Sequence, residues 1–465
     1  MKLTQKAQPF GAVRRIHFIG IGGAGMSGIA AVLLSLHYEV TGSDLKETDV
    51  TERLTQMGAK ITFGHKAANA VGADVVVYSA AVPMDNPEIV EANKRGTPVI
   101  ARTEMLAELM RLKYGIAISG THGKTTTTSM IGLVMTEGKL DPTLVIGGQV
   151  DVFKSNAKLG KGDYLVAEAC EAFGEFFLLS PMISIITNID DDHLDYYGSV
   201  DKVRDAFVTF ANKVPFYGCV IVGIDDKQIQ MIIPQIKRRV VTYGFGKNAQ
   251  VSARNVKLEK SGSVFDLYFL NKKLGKVKLH VPGRFNIQNA LASIAVGLEL
   301  KVPFKAIAAG LVRFHGAQRR FEMKGSYKGA VVVDDYAHHP TAVFETLTAA
   351  KNFAGHKKLV VVFQPHLFSR TQLLRDKFGK SFGHADEVII TAIYPSREKP
   401  IPGVSGKTIV EALHENGQTA VQYFEDRAVL MEYLKKHLTD KHVLLTMGAG
   451  DVWKIGNDLV QKHKG

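Results

Sequence analysis

Short apolar runs recur along this chain, and several lead through a glycine-bearing turn into a stretch of helical periodicity. The run Ile16-His17-Phe18-Ile19 opens onto a glycine cluster and then a helix-like segment from Met26 to Leu36, with Glu39-Val40-Thr41 and Asp74-Val75-Val76-Val77-Tyr78 as the next strands. Strands alternating with helices at this spacing predict a parallel sheet covered on both faces. The pattern restarts at Tyr114-Gly115-Ile116-Ala117-Ile118 and continues through Tyr164-Leu165-Val166, Ile183-Ser184-Ile185-Ile186 and Cys219-Val220-Ile221-Val222. Between about 250 and 282 it changes to strict alternation, as in Lys276-Val277-Lys278-Leu279-His280-Val281, which predicts an antiparallel accessory sheet. A third set of strands follows at Ala330–Val333, Leu359–Phe363, Glu387–Ile390 and Val443–Leu445. No fixed-period repeat relates the three sets. The Pro- and Gly-rich segment from Tyr394 to Gly406 reads as a functional loop.

The length, 465 residues, fits three domains at roughly 150 residues each. The pattern places their boundaries so that residues 1–113, 114–322 and 323–465 form one domain apiece. With 46% hydrophobic and 22% charged residues the composition excludes a disordered or collagen-like chain. The formal charge of +13 divides as +2, +7 and +4 over the three segments, a spread rather than a patch. Nucleic-acid binders usually concentrate their basic residues, so no nucleic-acid partner is expected, and runs such as Lys237-Arg238-Arg239 and Arg319-Arg320 read as solvated surface. Anionic small substrates fit the surplus. Two cysteines, Cys170 and Cys219, offer neither a disulfide framework nor a CxxC metal knuckle, which favours a reducing cytoplasm. The apolar stretch from Ile16 to Leu36 after Arg14-Arg15 resembles a signal or membrane segment, but Gly20, Gly22, Gly23, Gly25 and Gly28 interrupt it. A strand-turn-helix is the better reading, and no membrane association is expected.

Two glycine loops carry candidate chemistry. Gly20-x-Gly22-x-x-Gly25 follows a strand, opens a helix and precedes Asp44 by nineteen residues. Glycines let the backbone approach a phosphate while the helix N-terminus supplies N–H groups. The ligand could be NAD, with Asp44 on a ribose hydroxyl, or another nucleoside diphosphate; a tight turn is the bland alternative. The second loop, Gly120-Thr121-His122-Gly123-Lys124-Thr125-Thr126, is a shortened P-loop with Ile118 where the first glycine would stand. Its amides can cradle phosphates, Lys124 can neutralise the β and γ groups, and the Thr125 hydroxyl can hold magnesium. ATP binding is therefore expected, which demotes a simple dehydrogenase. The fold class is α/β, with Rossmann-like parallel-sheet domains at both ends and a P-loop ATPase-like domain between them.

Oxygen ligands for Mg²⁺ are sought at the ends of the following strands, where Glu168, Glu171 and the segment Thr187-Asn188-Ile189-Asp190-Asp191-Asp192-His193 stand. Taken singly, Asp190, Asp191 and Asp195 read as an exposed acidic loop. In the third segment Asp334 to Pro340 and Gln364 to Arg370 each follow a strand; without metal-ligand spacing, the histidines there suit a small carboxylate-bearing substrate better than zinc.

Together these blocks resemble the Mur ligase family over nearly the whole chain. The resemblance rests on Gly20 to Gly28, Gly120 to Thr126, Thr187 to His193, Pro282-Gly283-Arg284-Phe285-Asn286 through Asn289-Ala290, Arg319-Arg320-Phe321-Glu322, Asp334 to Pro340, Gln364 to Arg370 and Gly448-Ala449-Gly450-Asp451. It is strongest for the branch that adds L-alanine to UDP-N-acetylmuramate through an acyl phosphate, a step of peptidoglycan synthesis and so of cell-wall biogenesis, cell shape and division. It implies that Gly20, Gly22, Gly23, Ala24, Gly25, Met26 and Asp44 hold the UDP part. It assigns ATP to Gly120, Thr121, His122, Gly123, Lys124, Thr125 and Thr126, with Asn286 and Asn289 on the adenine side and Arg320 and Asp335 at the nucleotide. Thr125, Glu168 and His193 would hold magnesium, Tyr336, His338, His366 and Arg370 would receive the amino acid, and His338 would be the base, making Lys124, Glu168, His193, Arg320 and His338 the catalytic set. The third domain is expected to close on ATP and substrate, in a monomer or weak homodimer. Three positions depart from the common pattern: Phe285, Leu367 and the Glu168-Ala169-Cys170-Glu171-Ala172-Phe173 stretch. The rivals are a peptide ligase of cell-wall recycling, a folate polyglutamate ligase, an ATP-gated nucleotide-sugar binding protein and an NAD-dependent oxidoreductase.

Overall fold

A computed structural model describes residues 9–79, 81–150, 155–396 and 398–461. Three sheets account for the strands. The first contains β1 (Arg15–Ile19), β2 (Glu39–Asp44), β3 (Lys60–Phe63), β4 (Val75–Tyr78) and β5 (Val99–Ala101), all parallel, in the order β3-β2-β1-β4-β5. The chain reverses its direction of winding between β1 and β4, so a crevice opens beyond the carboxyl end of β1, where the first glycine loop lies. The apolar stretch after Arg14-Arg15 divides into β1 and the helix Ala24–Ser35, and among the described residues no helix is long and apolar enough to cross a membrane.

The second sheet has ten strands: β6 (Tyr114–Ser119), β7 (Thr143–Val150), β8 (Ser155–Lys158), β9 (Tyr164–Glu168), β10 (Ile183–Ile186), β11 (Cys219–Gly223), β12 (Val240–Gly244), β13 (Val251–Glu259), β14 (Gly262–Phe269) and β15 (Lys272–Leu279). Their order is β15-β14-β13-β12-β11-β10-β6-β9-β7-β8. From β12 to β7 every pairing is parallel, and β10 and β11 are buried along their whole length, as strands covered on both faces must be. The alternating segment forms β13 to β15, but not as a separate sheet. β12 pairs in parallel with β13, and the two-residue links on either side of β14 force its neighbours antiparallel, so the hairpins extend the parallel sheet at one edge. The link Leu270-Asn271 takes left-handed φ angles of 47° and 65°, which suits a tight hairpin.

The third sheet holds β16 (Glu322–Tyr327), β17 (Ala330–Asp335), β18 (Lys358–Phe363), β19 (Glu387–Thr391), β20 (Val421–Phe424) and β21 (His442–Met447), ordered β16-β17-β21-β18-β19-β20. Only the β16–β17 pair is antiparallel. By internal packing the chain divides into two units, one of Met1–Arg254, Leu267–Gly275 and Gln288–Arg313, the other of Asn255–Asp266, Lys276–Ile287 and Phe314–Gly465. In the first unit one apolar core runs from Ile16, Phe18 and Met26 to Phe176, Phe207 and Phe210. In the second, Val333, Val361, Phe363 and Phe378 anchor the core beneath the third sheet.

Candidate active site

The first glycine loop is built from the ends of β1 and β2. Gly20 N–H and Ile21 N–H both donate to Ser43 O, at 2.8 and 3.0 Å. Asp44 Oδ2 accepts from Gly22 N–H at 2.8 Å and Oδ1 from Leu45 N–H at 2.7 Å. The acid expected on a ribose is thus a brace of the loop in this structure. The helix begins at Ala24 with Gly23 as its N-cap and no side-chain cap, leaving its dipole end to the loop. Of Ala24 only the backbone is described; Met26 is buried in the core.

Beneath this loop lies a buried carboxylate. Glu88, with no exposed surface, accepts from His17 Nε2 (2.9 Å), Ser43 Oγ (2.8 Å), Asn69 Nδ2 (2.9 Å) and Lys66 N–H (3.2 Å). Burial alone would raise its pKa, but the hydrogen bonds from His17, Asn69 and Ser43 outweigh it and lower the value to about 2. Glu88 thereby anchors the β2 end whose Ser43 carbonyl holds the loop.

Arg102 is a residue that the loop motif could not reveal. A Cβ on Gly25 would come within 2.5 Å of Arg102 Nη1, so glycine is what lets the guanidinium pack on the loop. Arg102 stands where β5 passes into the helix Arg102–Arg111, and its Nη2 donates to Glu175 Oε2 at 2.8 Å. The only signal in the sequence is an arginine at the carboxyl end of a parallel strand, the ligand side of such a sheet.

The second loop joins β6 to the helix Lys124–Glu137. The segment after β10 holds it from outside: His122 N–H donates to Asn188 Oδ1 (2.8 Å), Thr187 Oγ1 and Asn188 Nδ2 donate to His122 O (2.6 and 3.1 Å), and Asp190 N–H donates to Thr121 Oγ1 (2.9 Å). His122 Nε2 pairs with Asp190 Oδ2 at 2.9 Å. Asp190 is a buttress of the loop, not a member of an exposed acidic loop, and Asp191 too is partly buried; the side chain of Asp195 lies outside the description. Gly123 has φ 86°, and a Cβ there would collide with Asn289 Oδ1, which also accepts from Thr127 Oγ1 at 3.2 Å. Asn289 therefore stands against the second glycine loop itself. Thr125 and Thr126 are buried in the first helical turn.

Lys124 Nζ donates to Gly120 O (2.5 Å) and to both carboxylate oxygens of Glu171 (2.8 and 3.0 Å). Burial would lower the ammonium pKa, but Glu171, with Cys170 and Glu168 behind it, holds it above its usual value. Glu168, at the end of β9, accepts from Gly147 N–H at 2.6 Å. His193 has φ 57° and places Nε2 3.9 Å from Glu171 Oε1. The Thr125 hydroxyl next to Lys124, the Glu168 and Glu171 carboxylates and the His193 imidazole form a predominantly hard-oxygen donor set, and that chemistry fits Mg²⁺.

The second unit carries the other cluster. Asp335 Oδ2 accepts from Phe321 N–H and Oδ1 from Ala337 N–H, both at 2.7 Å, so its carboxylate organises its own turn. Arg319 is no surface residue: it bonds Asp334 through Nε at 3.1 Å, donates to the carbonyls of Gly448, Ala449 and Gly450, and adopts φ 59°. Charge alone does not reveal a buried partner, which is why the Arg319-Arg320 run reads as solvated surface in the sequence. The Arg320 guanidinium lies 5.0 Å from the Tyr336 ring. Asn286 Nδ2 donates to Pro282 O at 2.6 Å.

Tyr336, His338, His366 and Arg370 do come together. The Tyr336 and His338 rings are 5.1 Å apart, His338 and His366 5.8 Å, and Arg370 Nη1 meets His366 Nδ1 at 3.1 Å. His338 Nδ1 lies 2.9 Å from Tyr336 O. A carbonyl can only accept, so Nδ1 carries the proton of the neutral ring and Nε2 its lone pair. Arginine can only donate, so neutral His366 has the opposite tautomer, with a proton on Nε2. Tyr394, from the Pro- and Gly-rich loop, stacks on His366 at 6.0 Å, while Glu398 of the same loop accepts from Ser369 N–H at 3.0 Å. Leu367 takes φ 69° and ψ 136°, a strained conformation for a branched residue.

Family models match three consecutive stretches: the Mur ligase family catalytic domain at residues 15–114, the Mur ligase middle domain at 118–297 and the glutamate ligase domain of Mur ligases at 319–450. The chain belongs to the Mur ligase family. Among its relatives, the UDP-N-acetylmuramate–L-alanine ligases of Trichlorobacter lovleyi and Geobacter sulfurreducens are each 50% identical over 454 residues, covering 97% of this chain and 100% and 98% of theirs. The crystal structure of the UDP-N-acetylmuramate–alanine ligase of Thermotoga maritima matches with a TM-score of 0.82 at 31% identity, covering 97% of this chain and 99% of that one. A murein peptide ligase from Psychrobacter arcticus shares the Mur ligase fold, with a TM-score of 0.73 at 24% identity over 96% of this chain and 98% of that one.

Proposed function

We propose that this Mur ligase joins L-alanine to the lactyl carboxylate of UDP-N-acetylmuramate, using Mg-ATP and an acyl-phosphate intermediate, in the cytoplasmic stage of peptidoglycan synthesis. The observation that carries the reading is near-full-length identity of about half to ligases bearing that name, on a chain that holds two different glycine loops. Residues 1–113 serve the sugar nucleotide, 114–322 ATP and 323–465 the amino acid.

Hydroxide is a poor leaving group, so the carboxylate has to be activated. A carboxylate oxygen attacks the γ-phosphorus in line, the bond to the β–γ bridging oxygen breaks, and ADP leaves. Lys124 and Arg320 offset the negative charge that develops. Thr125, Glu168 and His193 are the residues that fit magnesium, which when bound neutralises further phosphate charge. The alanine nitrogen then attacks the acyl carbon, and phosphate is expelled from the tetrahedral intermediate.

The nitrogen must lose a proton, and the His338 tautomer supports that residue as its acceptor, since Nε2 bears the lone pair. The opposite tautomer of His366, beside Arg370, supports a pair of donors for the alanine carboxylate. The test is phosphate release from Mg-ATP with UDP-N-acetylmuramate, with and without L-alanine, while the sugar nucleotide is followed by mass. Release dependent on both substrates, with the mass of one alanyl residue gained, is the expected result. Turnover only with a peptide acceptor would move the reading to a recycling ligase.

A further inference from the structure

Glu171 is a charged group that the mechanism above does not use, yet it grips the lysine on which that mechanism depends. Both carboxylate oxygens meet Lys124 Nζ, at 2.8 and 3.0 Å, and only 3% of the Glu171 side chain is exposed. A γ-phosphate reaching Lys124 must displace or share this carboxylate. Retreat into water is not open to it, because the residue is buried and its main chain is pinned: Glu171 O accepts from Tyr197 OH at 2.5 Å and from Gly174 N–H at 3.1 Å. A buried carboxylate left beside a phosphate is repelled, unless a cation stands between them. Oε1, which meets Lys124 Nζ at 3.0 Å, is also 3.9 Å from His193 Nε2. Hard divalent cations take oxygen donors, which a lone imidazole does not supply.

We propose that Glu171 changes partner when the nucleotide arrives: it is the counter-ion of Lys124 in the chain alone, and an oxygen ligand, beside His193, of a divalent cation in the nucleotide complex. This rests on the ATP-dependent reading of the same loop. It makes a built-in carboxylate the competitor that metal-free ATP meets, and makes the cation the device that removes the competition.

The test uses the full chain and a non-hydrolysable ATP analogue, titrated by calorimetry without divalent metal, with Mn²⁺ bound to the complex then counted by electron paramagnetic resonance. Glu171→Gln keeps the shape and loses the charge. It is expected to bind the metal-free analogue about tenfold more tightly, and to hold Mn²⁺ in the complex about tenfold more weakly, than the parent. Glu171→Asp keeps the charge and shortens the reach; it is expected to tighten metal-free binding less and to keep more of the Mn²⁺ affinity, and it gives the same readout should the glutamine variant fold poorly. Unchanged or weaker metal-free binding in both variants, or unchanged Mn²⁺ binding, overturns the exchange. The two readings fail separately: a parent chain that binds nucleotide but forms no alanyl product refutes the ligase, whereas a parent that ligates while the variants leave both binding readouts unmoved refutes only the exchange.

Discussion

The two glycine loops follow parallel strands in the same way, and in both a carboxylate of the same unit engages a donor of the loop. What differs is the kind of donor. In the first loop Asp44 accepts from a neutral backbone amide, Gly22 N–H; in the second Glu171 pairs with the ammonium of Lys124. The first site offers dipoles and one neighbouring cation, Arg102, already paired to Glu175. The second offers a full charge inside the loop, balanced by a buried opposite charge. A diphosphate that only has to be held suits the first, while a triphosphate whose bond must break suits the second, where charge is what lowers the barrier.

The largest effect should come from Lys124→Ala. Loss of the in-loop cation is expected to lower kcat about a thousandfold, read as alanine-dependent phosphate release. It also leaves Glu171 buried without its partner, which for a buried pair costs about 3–5 kcal/mol, read by denaturant unfolding. Adding Glu171→Gln to Lys124→Ala should restore much of the stability and none of the rate. If the double variant is no more stable than the single one, the pair is not the buried charge balance described here.

Next comes Glu88→Ala, which removes the anchor under the first loop and leaves His17 Nε2, Ser43 Oγ and Asn69 Nδ2 without their shared acceptor, at about 1–3 kcal/mol for each donor left unsatisfied. The pH dependence has a definite sign. The folded-state pKa of Glu88 is depressed to about 2, so its contribution is present above the ordinary glutamate range and is lost as pH falls from about 4.5 toward 2. Unfolding free energy against pH should fall less steeply across that window in the alanine variant than in the parent. Equal slopes would mean that Glu88 is not the carboxylate that acid attacks.

How much of this was legible beforehand depends on sequence distance. Both glycine loops, their strands and the helices they open are local patterns, and the structure has them where the spacing places them. Asp44 was legible as a residue near the loop but not as its brace, because the same spacing serves a ribose contact and a backbone contact. Arg102 on Gly25, Glu171 on Lys124, Asn188 on His122 and Tyr394 on His366 join residues far apart in the chain, and no periodicity encodes such meetings. The hairpin strands β13 to β15 were legible as strands; which edge they join is decided by the β12 pairing, a contact beyond the alternating pattern.

Arg102 sharpens the comparison on the side of the first loop. Arg102→Ala is expected to raise KM for the sugar nucleotide about 10- to 100-fold, the range of one lost charge-assisted hydrogen bond, with KM for ATP unchanged. Glu175→Gln breaks the same ion pair but keeps the cation, so it should leave KM for the sugar nucleotide within a few fold. If the two variants behave alike, Arg102 is a latch on Glu175 and the first loop works by dipoles alone.

The smallest effect, and the one that divides the two loops most cleanly, is that of the acid in each. Asp44→Asn removes the charge and keeps one acceptor oxygen, for either Gly22 N–H or Leu45 N–H, while its amide NH2 replaces the acceptor of the other. Since its partners are neutral amides and one of them loses its acceptor, the loss should be about 1–3 kcal/mol of stability and a change of a few fold in KM for the sugar nucleotide, with no dependence on metal. The same substitution at Glu171 faces an ammonium, so its effect on nucleotide binding should depend on whether a divalent cation is present. Measuring both variants with and without metal sets a backbone brace against a counter-ion, and a metal-dependent change at Asp44 would show that the first loop, too, works by charge.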